Sequence, residues 1–319
     1  LGFMKIIILI FSFVIFIFQN YSYSNTSSFH EPVKKYEIAS NHKFKFENKK
    51  FKKNENKSKF DPSEIISNCE NCKKIDGFIE PNLIDLEIYK MAGLLRPSKE
   101  DVKIQKKRGM IETGLKPDFY NNKKCGFCDD CWAIDYTHKR EFPALHKGTD
   151  LPKKFNEPIL AMADGTVVGI FQNEFSRKGI EIVLRHRPEQ SGLPYYTYTQ
   201  YTHLNKMPDL QIGESVKLGQ QIGLNGNSGK AGIKNKSRRP ALHLAVMYSK
   251  SPEWSQFKRG FLVKDGYWMD PLAFLRNEAP YESKEVKKLK SKKVKVAYKK
   301  TNGEIVPAGS IKIWPFMCD

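Results

Sequence analysis

Short runs of β-branched and aromatic residues dominate the chain between about residues 140 and 275. GTVVGIF, GIEIVLRH and YYTYTQYTHL are examples, and they are separated by glycine, proline and asparagine residues that favour turns. Runs of this length and composition are typical of β-strands joined by tight connections. We therefore predict a mainly β domain, with a largely antiparallel sheet, over 140–275.

A different spacing of apolar residues precedes this domain. In PNLIDLEIYKMAGLL, the residues Leu83, Leu86, Tyr89 and Leu94 recur at steps of three to five residues. This interval places side chains on one face of a helix. The spacing predicts a short helical pre-segment within 61–139.

The N-terminus has the order of residues found in secretory signals. Met4 and Lys5 precede a mainly apolar stretch at 6–18, and the polar sequence QNYSYSNTSS follows it. These thirteen residues are fewer than the roughly 20 that a helix needs to cross a bilayer. Residues 1–24 are therefore predicted to be a signal peptide cleaved near Ser24, and an uncleaved membrane anchor is the alternative.

Two lysine-rich stretches flank the rest of the chain. Residues 25–60 combine lysine and asparagine with no persistent helical or strand period, which predicts a disordered basic linker. The linker either is simply solvated or adheres loosely to an anionic matrix. Residues 276–319 form a basic C-terminal extension, whose GEIVPAGSIKIWPF sequence is compatible with one hairpin.

The charge of the chain indicates polyanionic surroundings. Fifty-four lysines and arginines stand against 35 aspartates and glutamates, a formal net charge of +19. Such an excess favours contact with nucleic acid, anionic lipid or an acidic cell wall. Export by a signal peptide argues against nucleic acid, and it predicts a secreted, periplasmic or cell-envelope protein.

Histidine and aspartate residues of the β region have the composition of a catalytic zinc site. HKGTD places His146 and Asp150 four residues apart, ALHLAV places His243 on a predicted strand, and YTHL contributes His203. Catalytic zinc is held by three protein ligands with one position left for water, and imidazole and carboxylate are suitable ligands. A further imidazole can transfer a proton or stabilise an oxyanion, and His203 is the candidate for this role.

A glycine-rich stretch, GESVKLGQQIGLNGNSG at 213–229, lies between the second and third of these motifs. Its glycines separate short apolar runs and therefore indicate turns. A phosphate-binding loop requires a Lys-Ser or Lys-Thr pair and a following helix, neither of which is predicted here. The stretch is not a nucleotide site.

Taken together and in this order, the motifs resemble those of the lysostaphin-type, or LytM-like, zinc metallopeptidases. That family combines an H-x-x-x-D element, a Y-x-H-L element, a glycine-rich stretch and a final H-x-H strand, and ILAMADGTVVGI matches the strand and turn that follow its first element. The resemblance covers about residues 140–275. It implies the family's antiparallel LytM/lysostaphin-like fold, described as a duplicated hybrid motif.

The resemblance also implies a role for each matching residue. His146, Asp150 and His243 correspond to the zinc ligands, and His203 corresponds to the catalytic histidine of Y-x-H-L. The first histidine of H-x-H corresponds to Ala241, which is a departure from the family. Because side chains alternate along a strand, Ala241 is predicted to share a face with His243, so that an imidazole is missing from the cleft itself.

Other positions around the site are less decisive. Ala245 replaces the family's usual glutamate, and His186 is predicted to make structural hydrogen bonds. Arg238, Arg239 or a tyrosine of YYTYTQY is a candidate to replace the missing imidazole.

The chain contains six cysteines, namely Cys69, Cys72, Cys125, Cys128, Cys131 and Cys318. In an exported protein, an even number of cysteines favours disulfides, whose pairing the sequence leaves open. A second metal site is the alternative, because two C-x-x-C motifs have zinc-knuckle spacing. The cysteine cluster is expected to fasten the pre-segment to the β domain, close to the cleft.

We therefore predict a secreted zinc metalloendopeptidase that hydrolyses peptide bonds of cell-wall peptidoglycan. The expected partner is peptidoglycan or another anionic cell-envelope polymer, with no nucleic acid and with membrane contact only through an uncleaved N-terminus. The alternative is a catalytically weak or inactive LytM-like domain that binds the cell wall or regulates other wall hydrolases. Retention of all three ligand residues favours the enzyme, because a binding module needs no metal ligands.

Overall fold

A seven-stranded antiparallel sheet forms the centre of the computed structural model. The structure describes residues 62–95, 97–123, 125, 136–140, 143–173, 177–229, 239–258 and 260–319. The predicted signal peptide at 1–24 and linker at 25–60 lie outside the described residues, as do Cys128, Cys131 and Arg238.

Fifteen strands are present among the described residues. They are β1 (Lys116–Phe119), β2 (Thr149–Pro152), β3 (Pro158–Leu160), β4 (Gly165–Asn173), β5 (Gly179–His186), β6 (Tyr196–Thr202), β7 (Ser215–Val216), β8 (Gln221–Leu224), β9 (Ala241–Ser249), β10 (Trp254–Phe257), β11 (Gly260–Val263), β12 (Tyr267–Met269), β13 (Lys293–Val296), β14 (Tyr298–Lys299) and β15 (Ile305–Val306).

The central sheet has the order β12-β9-β6-β5-β4-β7, and β2 pairs with the part of β9 that β12 leaves open. Each of these pairings is antiparallel. The predicted mainly β, antiparallel fold is therefore confirmed. A parallel pair, β1 with β13, was not predicted, and it joins the pre-segment to the C-terminal extension.

The helices are short and lie mainly before the sheet. They are α1 (Glu70–Lys73), α2 (Leu86–Ala92), α3 (Lys99–Lys107), α4 (Pro188–Ser191), α5 (Pro271–Phe274) and α6 (Ser283–Val286), with 3-10 turns at Pro62–Glu64, Pro81–Leu83 and Tyr120–Asn122. Ser98 caps α3 by accepting a hydrogen bond from the Asp101 amide at 3.2 Å. Gly93 ends α2 in the left-handed conformation, with φ of 72°.

The helical pre-segment is confirmed, but of the four residues at helical spacing only Leu86 and Tyr89 lie within α2. Because the helix begins only at Leu86, Leu83 lies in the preceding turn and is 61% exposed. Ile88, Tyr89 and Met91 are instead the fully buried residues of α2. The side chain of Tyr89 also packs edge-on against a ring of β10, at a centroid distance of 5.0 Å.

The pre-segment covers the front face of the sheet, which we define as the face that carries His243. The front-face residues of β5, β6 and β9 pack in one core with α2 and with the β10–β11 hairpin. The buried members of this core from β5, β6 and β9 are Val183, Tyr198, Ala245 and Met247. Apolar burial of this extent is the main stabilising term for such a contact.

The C-terminal extension covers the opposite, back face. Ile182, Tyr201 and Leu244 point to this side and share a core with Val294 of β13 and with Phe316. The hairpin of the extension, β14–β15, begins earlier than GEIVPAGSIKIWPF, since Tyr298 and Lys299 form its first strand. All described residues lie within one compact unit, Ser58–Asp319, and the domain boundaries at 140 and 275 stay predictions.

No helix among the described residues combines the length and apolar character required to cross a membrane.

Two disulfides join the four described cysteines. Cys69 pairs with Cys72, and Cys125 pairs with Cys318. The prediction of disulfides is confirmed for these four cysteines, so Cys69, Cys72 and Cys125 are not available to the alternative second metal site. The Cys125–Cys318 bridge links the pre-segment to the C-terminal extension, next to the β1–β13 pair.

His186 is a structural residue of the sheet. Its Nδ1 lies 2.7 Å from the Asp164 carbonyl, and its Nε2 lies 2.8 Å from Oγ1 of Thr199. Because a carbonyl only accepts, Nδ1 carries the proton and Nε2 accepts from the hydroxyl. Burial lowers the pKa of His186 to about 4, which favours the neutral ring.

We expect the Cys125–Cys318 bridge to stabilise the fold more than the Cys69–Cys72 bridge does. It connects positions 193 residues apart, against 3 for the other pair, so that it restricts the unfolded chain far more. Replacing Cys125 and Cys318 by serine should lower the free energy of unfolding by roughly 2–4 kcal/mol, measured by denaturant titration. Replacing Cys69 and Cys72 by serine is the control, and an equal loss in both variants would contradict this account.

The buried neutral His186 should make the fold sensitive to acid. The unfolded chain protonates this histidine near pH 6.5, whereas the folded chain does so only near pH 4. The unfolded state therefore binds more protons within this window, and stability falls by up to about 3 kcal/mol as the pH decreases from 6.5 to 4.

The measurement is the free energy of unfolding of the wild type and of His186→Gln between pH 7 and pH 4.5. The variant should show a smaller decrease, because glutamine does not titrate. If the free energy of unfolding decreased equally in both proteins, His186 would be ruled out as the source of the acid sensitivity.

Candidate metal centre

Three side chains converge on one point at the front of the sheet. Nε2 of His146 and Nδ1 of His243 are 3.0 Å apart. Oδ1 of Asp150 lies 3.1 Å from the first nitrogen and 2.9 Å from the second. The structure therefore brings together the three residues that the motifs single out as ligands, and each offers one donor atom to a common centre.

The register of three strands produces this convergence. His243 on β9 stands directly opposite Asp150 on β2, and opposite Thr202 on β6 at its other side. Residues that are directly opposite in an antiparallel pair share a face of the sheet. His146 lies four residues before Asp150, and its amide donates to the His138 carbonyl at 2.8 Å.

Gly148 lets the His146–Asp150 loop approach His243 closely. A Cβ atom at this position would lie 2.6 Å from Nε2 of His243 and 2.6 Å from the Leu244 carbonyl oxygen. Real Cβ atoms essentially never come this close to other heavy atoms. The glycine in HKGTD is therefore required by packing.

The ionisation states of the cluster suit a cation. Burial raises the pKa of Asp150, but hydrogen bonds from His146 and His243 outweigh it and hold that pKa well below its usual range. Burial, together with the charge of His146, lowers the pKa of His243 to about 4. At neutral pH the site therefore presents a charged carboxylate and, at His243, a neutral imidazole, which are the forms that bind metals.

The dimensions of the cluster also fit a small divalent metal. Donors about 2.0–2.2 Å from a tetrahedrally coordinated ion stand roughly 3.3–3.6 Å apart. The observed separations of 2.9–3.1 Å differ from this by a few tenths of an ångström. The His-Asp-His cluster can thus hold a metal ion with little rearrangement.

His203 lies beside the cluster, immediately after β6. Its ring centre is 5.8 Å from that of His243, and the residue is 7% exposed. Nδ1 lies 3.0 Å from both the Lys178 and the Ser228 carbonyl oxygens. Carbonyls only accept, so Nδ1 of the neutral ring carries the proton and Nε2 is the basic nitrogen.

The glycine-rich stretch contributes to this orientation. Ser228 provides one of the two carbonyls that hold His203, and its hydroxyl accepts from the Ile180 amide at 2.9 Å. Gly179 and Gly229 meet here, and a Cβ on Gly179 would lie 2.4 Å from the Gly229 nitrogen. The stretch therefore positions a side chain, in agreement with its interpretation as a set of turns.

Glu181 is a supporting residue that the motif analysis missed. It is 1% exposed, and its carboxylate accepts from Oγ1 of Thr202 at 2.8 Å and from the Lys178 ammonium at 3.1 Å. These bonds connect β5 to the end of β6 and to Lys178, whose carbonyl accepts the hydrogen bond from His203. The signal was present in the sequence, because a charged residue within the apolar run GIEIVL requires a buried partner.

Ala241 is 1% exposed and stands two residues before His243 on the same face of β9. Its amide donates to the Gly226 carbonyl at 3.0 Å, and it pairs with Pro152 of β2. The departure from the family pattern therefore lies beside the cluster, on the face that carries the donors.

Most candidates to replace the missing imidazole are engaged elsewhere. The hydroxyls of Tyr195 and Tyr198 donate to Glu282 and to the Pro252 carbonyl, respectively. The hydroxyl of Tyr201 accepts from the Met162 amide. Arg239 is exposed and precedes Ala241 by two residues, so it remains a candidate.

Comparison with known proteins gives the family of this region. Residues 144–253 match the model of Peptidase family M23. The peptidoglycan DD-endopeptidase ShyA of Vibrio cholerae serotype O1 is 34% identical over 109 residues, which are 32% of this chain and 23% of that protein. An uncharacterized metalloprotease of Haemophilus influenzae is 37% identical over 84 residues, which are 26% of this chain and 16% of that protein.

The chain thus spans less than a quarter of the length of these curated relatives. Among solved structures, the catalytic domain of the antimicrobial peptidase lysostaphin from Staphylococcus simulans is similar. It is 25% identical with a TM-score of 0.30, and the match covers 41% of this chain and 78% of that one. The family expected from the motifs is confirmed: the segment 144–253, with the His-Asp-His cluster, His203 and Ala241, matches the model of Peptidase family M23.

Proposed function

We propose that this protein is a zinc metalloendopeptidase that hydrolyses peptide bonds of cell-wall peptidoglycan. The observation that carries the proposal is the convergence of His146, Asp150 and His243 to within 3.1 Å, beside an oriented His203, in a segment of peptidase family M23. The substrate class is supported by the similarity to a peptidoglycan DD-endopeptidase.

Zinc is the metal that we propose for the cluster. Two imidazoles and one carboxylate are a ligand set found in catalytic zinc sites, where a fourth position remains for water or substrate. When bound, zinc supplies an acidified water and a Lewis acid that polarises the substrate carbonyl.

The protein's own residues supply the orientation and the proton transfer. Burial of Asp150 and His146, and the contacts of the 14% exposed His243 side chain with both of them, fix the three donors before substrate arrives. Nε2 of His203 accepts a proton during attack on the peptide bond, or donates a hydrogen bond to the developing oxyanion once it is protonated. The Lys178 and Ser228 carbonyls stabilise either form of this ring, because Nδ1 keeps its proton in both.

Ala241 limits the rate of the proposed reaction. A positioned acid, base or oxyanion donor contributes about 10²- to 10⁴-fold, so loss of one imidazole reduces catalysis without removing the metal. His203 then acts as the sole imidazole catalyst, with Arg239 or Tyr196 as the described candidates for an auxiliary role.

A second candidate function is a catalytically weak or silent domain that binds the cell wall or regulates other hydrolases. Ala241 and Ala245, which stand where the family pattern has histidine and glutamate, favour this reading. The intact ligand set favours the enzyme. Digestion of purified peptidoglycan by the zinc-loaded full chain decides between them, since only the enzyme releases new amino termini.

We further propose export to the cell surface or envelope. The apolar N-terminal stretch, the disulfides and the net charge of +19 are each consistent with an oxidising, polyanionic environment.

Substitutions should separate metal binding from proton transfer. His243→Ala removes a ligand and should abolish both zinc binding and the release of amino termini. His203→Ala should keep the wild-type zinc affinity while lowering kcat by about 10²- to 10⁴-fold. Both are measured on the full chain, by chelator competition and by amine labelling of digested peptidoglycan.

His186→Gln is the matched control, because it alters a buried histidine of the same sheet that makes structural hydrogen bonds. It should retain both properties. Full activity of His203→Ala would contradict the assignment of His203 as the group that transfers the proton. Activity of the wild type after removal of zinc by a chelator would contradict the requirement for a metal.

Restoring the family's imidazole should raise the rate. Ala241→His places a second imidazole on the front face beside His243, so kcat should increase by about 10-fold or more with zinc affinity unchanged. Ala241→Leu has a similar volume without a base and serves as the control. An inactive wild type combined with an active Ala241→His variant would establish the silent-domain alternative.

A further inference from the structure

The side chain of Lys147 connects the metal-binding loop to the pre-segment. Lys147 directly follows the ligand His146, and its ammonium donates to the Ala92 carbonyl at 3.1 Å. We propose that Lys147 is a positioning residue, through which the C-terminal end of α2 holds His146 in its metal-binding geometry. This inference rests on the proposed zinc site and assigns to the pre-segment a part in building it.

The end of α2 is a suitable anchor for a lysine. Ala92 is the last residue of the helix, where the final carbonyls have no partner within the helix. These carbonyls carry the negative end of the helix dipole, and a cation near them is stabilised. Gly93 leaves room for the ammonium, since a Cβ there would lie 2.2 Å from Nζ of Lys147.

The backbone of Lys147 shows why an anchor is needed. Its φ is 69°, a left-handed conformation that non-glycine residues rarely adopt and that has an energetic cost. Its amide donates to the Tyr136 carbonyl at 3.0 Å, and the next residue, Gly148, lies against the ring of His243. The turn at Lys147 therefore orients the side chain of His146, which precedes it, and brings the backbone of Gly148, which follows it, against the ring of His243.

The anchor itself is firmly held. Ile88, Tyr89 and Met91 of α2 are each no more than 1% exposed in the front-face core. The indole nitrogen of Trp268 on β12 donates to the Met91 carbonyl at 3.3 Å, so the last turn of α2 is bound to the same sheet that carries His243. The position of Ala92 is thus fixed relative to the proposed metal donors. The hydrogen bond from Lys147 to Ala92 in turn restrains the neighbouring residue, His146.

The test is the zinc affinity of the full chain, measured by competition with a chromophoric chelator. Lys147→Met keeps the length of the side chain but removes its hydrogen bonds and charge. It should weaken zinc binding by about 10- to 100-fold, as loss of groups that orient metal ligands does. The control is Lys90→Met, which removes a lysine of α2 that pairs with Glu100 within the pre-segment, and zinc affinity should not change.

Gly93→Ala examines the same contact from the pre-segment side. The added methyl group would displace the ammonium, so zinc affinity should fall although no residue of the loop is altered. Gly114→Ala is the matched control, because this glycine has a similar φ of 74° and its nearest side-chain atoms lie 3.9 Å from an added Cβ. Both variants place an alanine in a left-handed backbone conformation, so they share that energetic cost. They differ only in the contact of the added methyl group with the Lys147 ammonium.

The outcomes are distinguishable. A wild-type chain that binds no zinc contradicts the proposed function itself. A wild-type chain that binds zinc, with Lys147→Met or Gly93→Ala equal in affinity to its control, overturns the inference about Lys147. If Lys147→Met fails to fold, as judged by circular dichroism, the comparison of Gly93→Ala with Gly114→Ala decides.

Discussion

The pairing of β9 with β2 on one side and β6 on the other is the constraint on which the site depends. This register sets Asp150 opposite His243 and places the end of β6, with His203, beside them. A shift of one residue would turn every side chain of a strand to the opposite face. Two of the three proposed metal donors, Asp150 and His243, are therefore specified by the same hydrogen bonds that specify the sheet.

The register is maintained by segments outside the region of family similarity. The pre-segment buries the front face and the C-terminal extension buries the back face, so neither face of the sheet relies on the 144–253 segment alone. A fragment cut to the family match would expose both apolar surfaces. The folded unit is accordingly larger than the segment that matches the family, and experiments on the candidate site require the flanking segments.

Much of the site could be predicted from sequence because it is encoded in short motifs. His146 and Asp150 lie within five residues, and strand alternation alone places Ala241 on the face of His243. The packing partners could not be predicted in this way. The pairing of Lys116 with Lys293 joins strands far apart in the chain, and no local pattern encodes such a choice. The start of α2 could not be predicted either, since Leu83 belongs to the preceding turn and helical spacing alone does not show where a helix begins.

The Cys125–Cys318 bridge has a consequence for the resistance of the protein to proteolysis. It joins two segments on either side of the whole region that matches the family and so closes that region into a covalent ring. A single proteolytic cut anywhere between residues 125 and 318 leaves both pieces attached, and the paired strands can remain in register. Nicking of a surface loop would therefore leave the two halves of the candidate metal centre covalently connected.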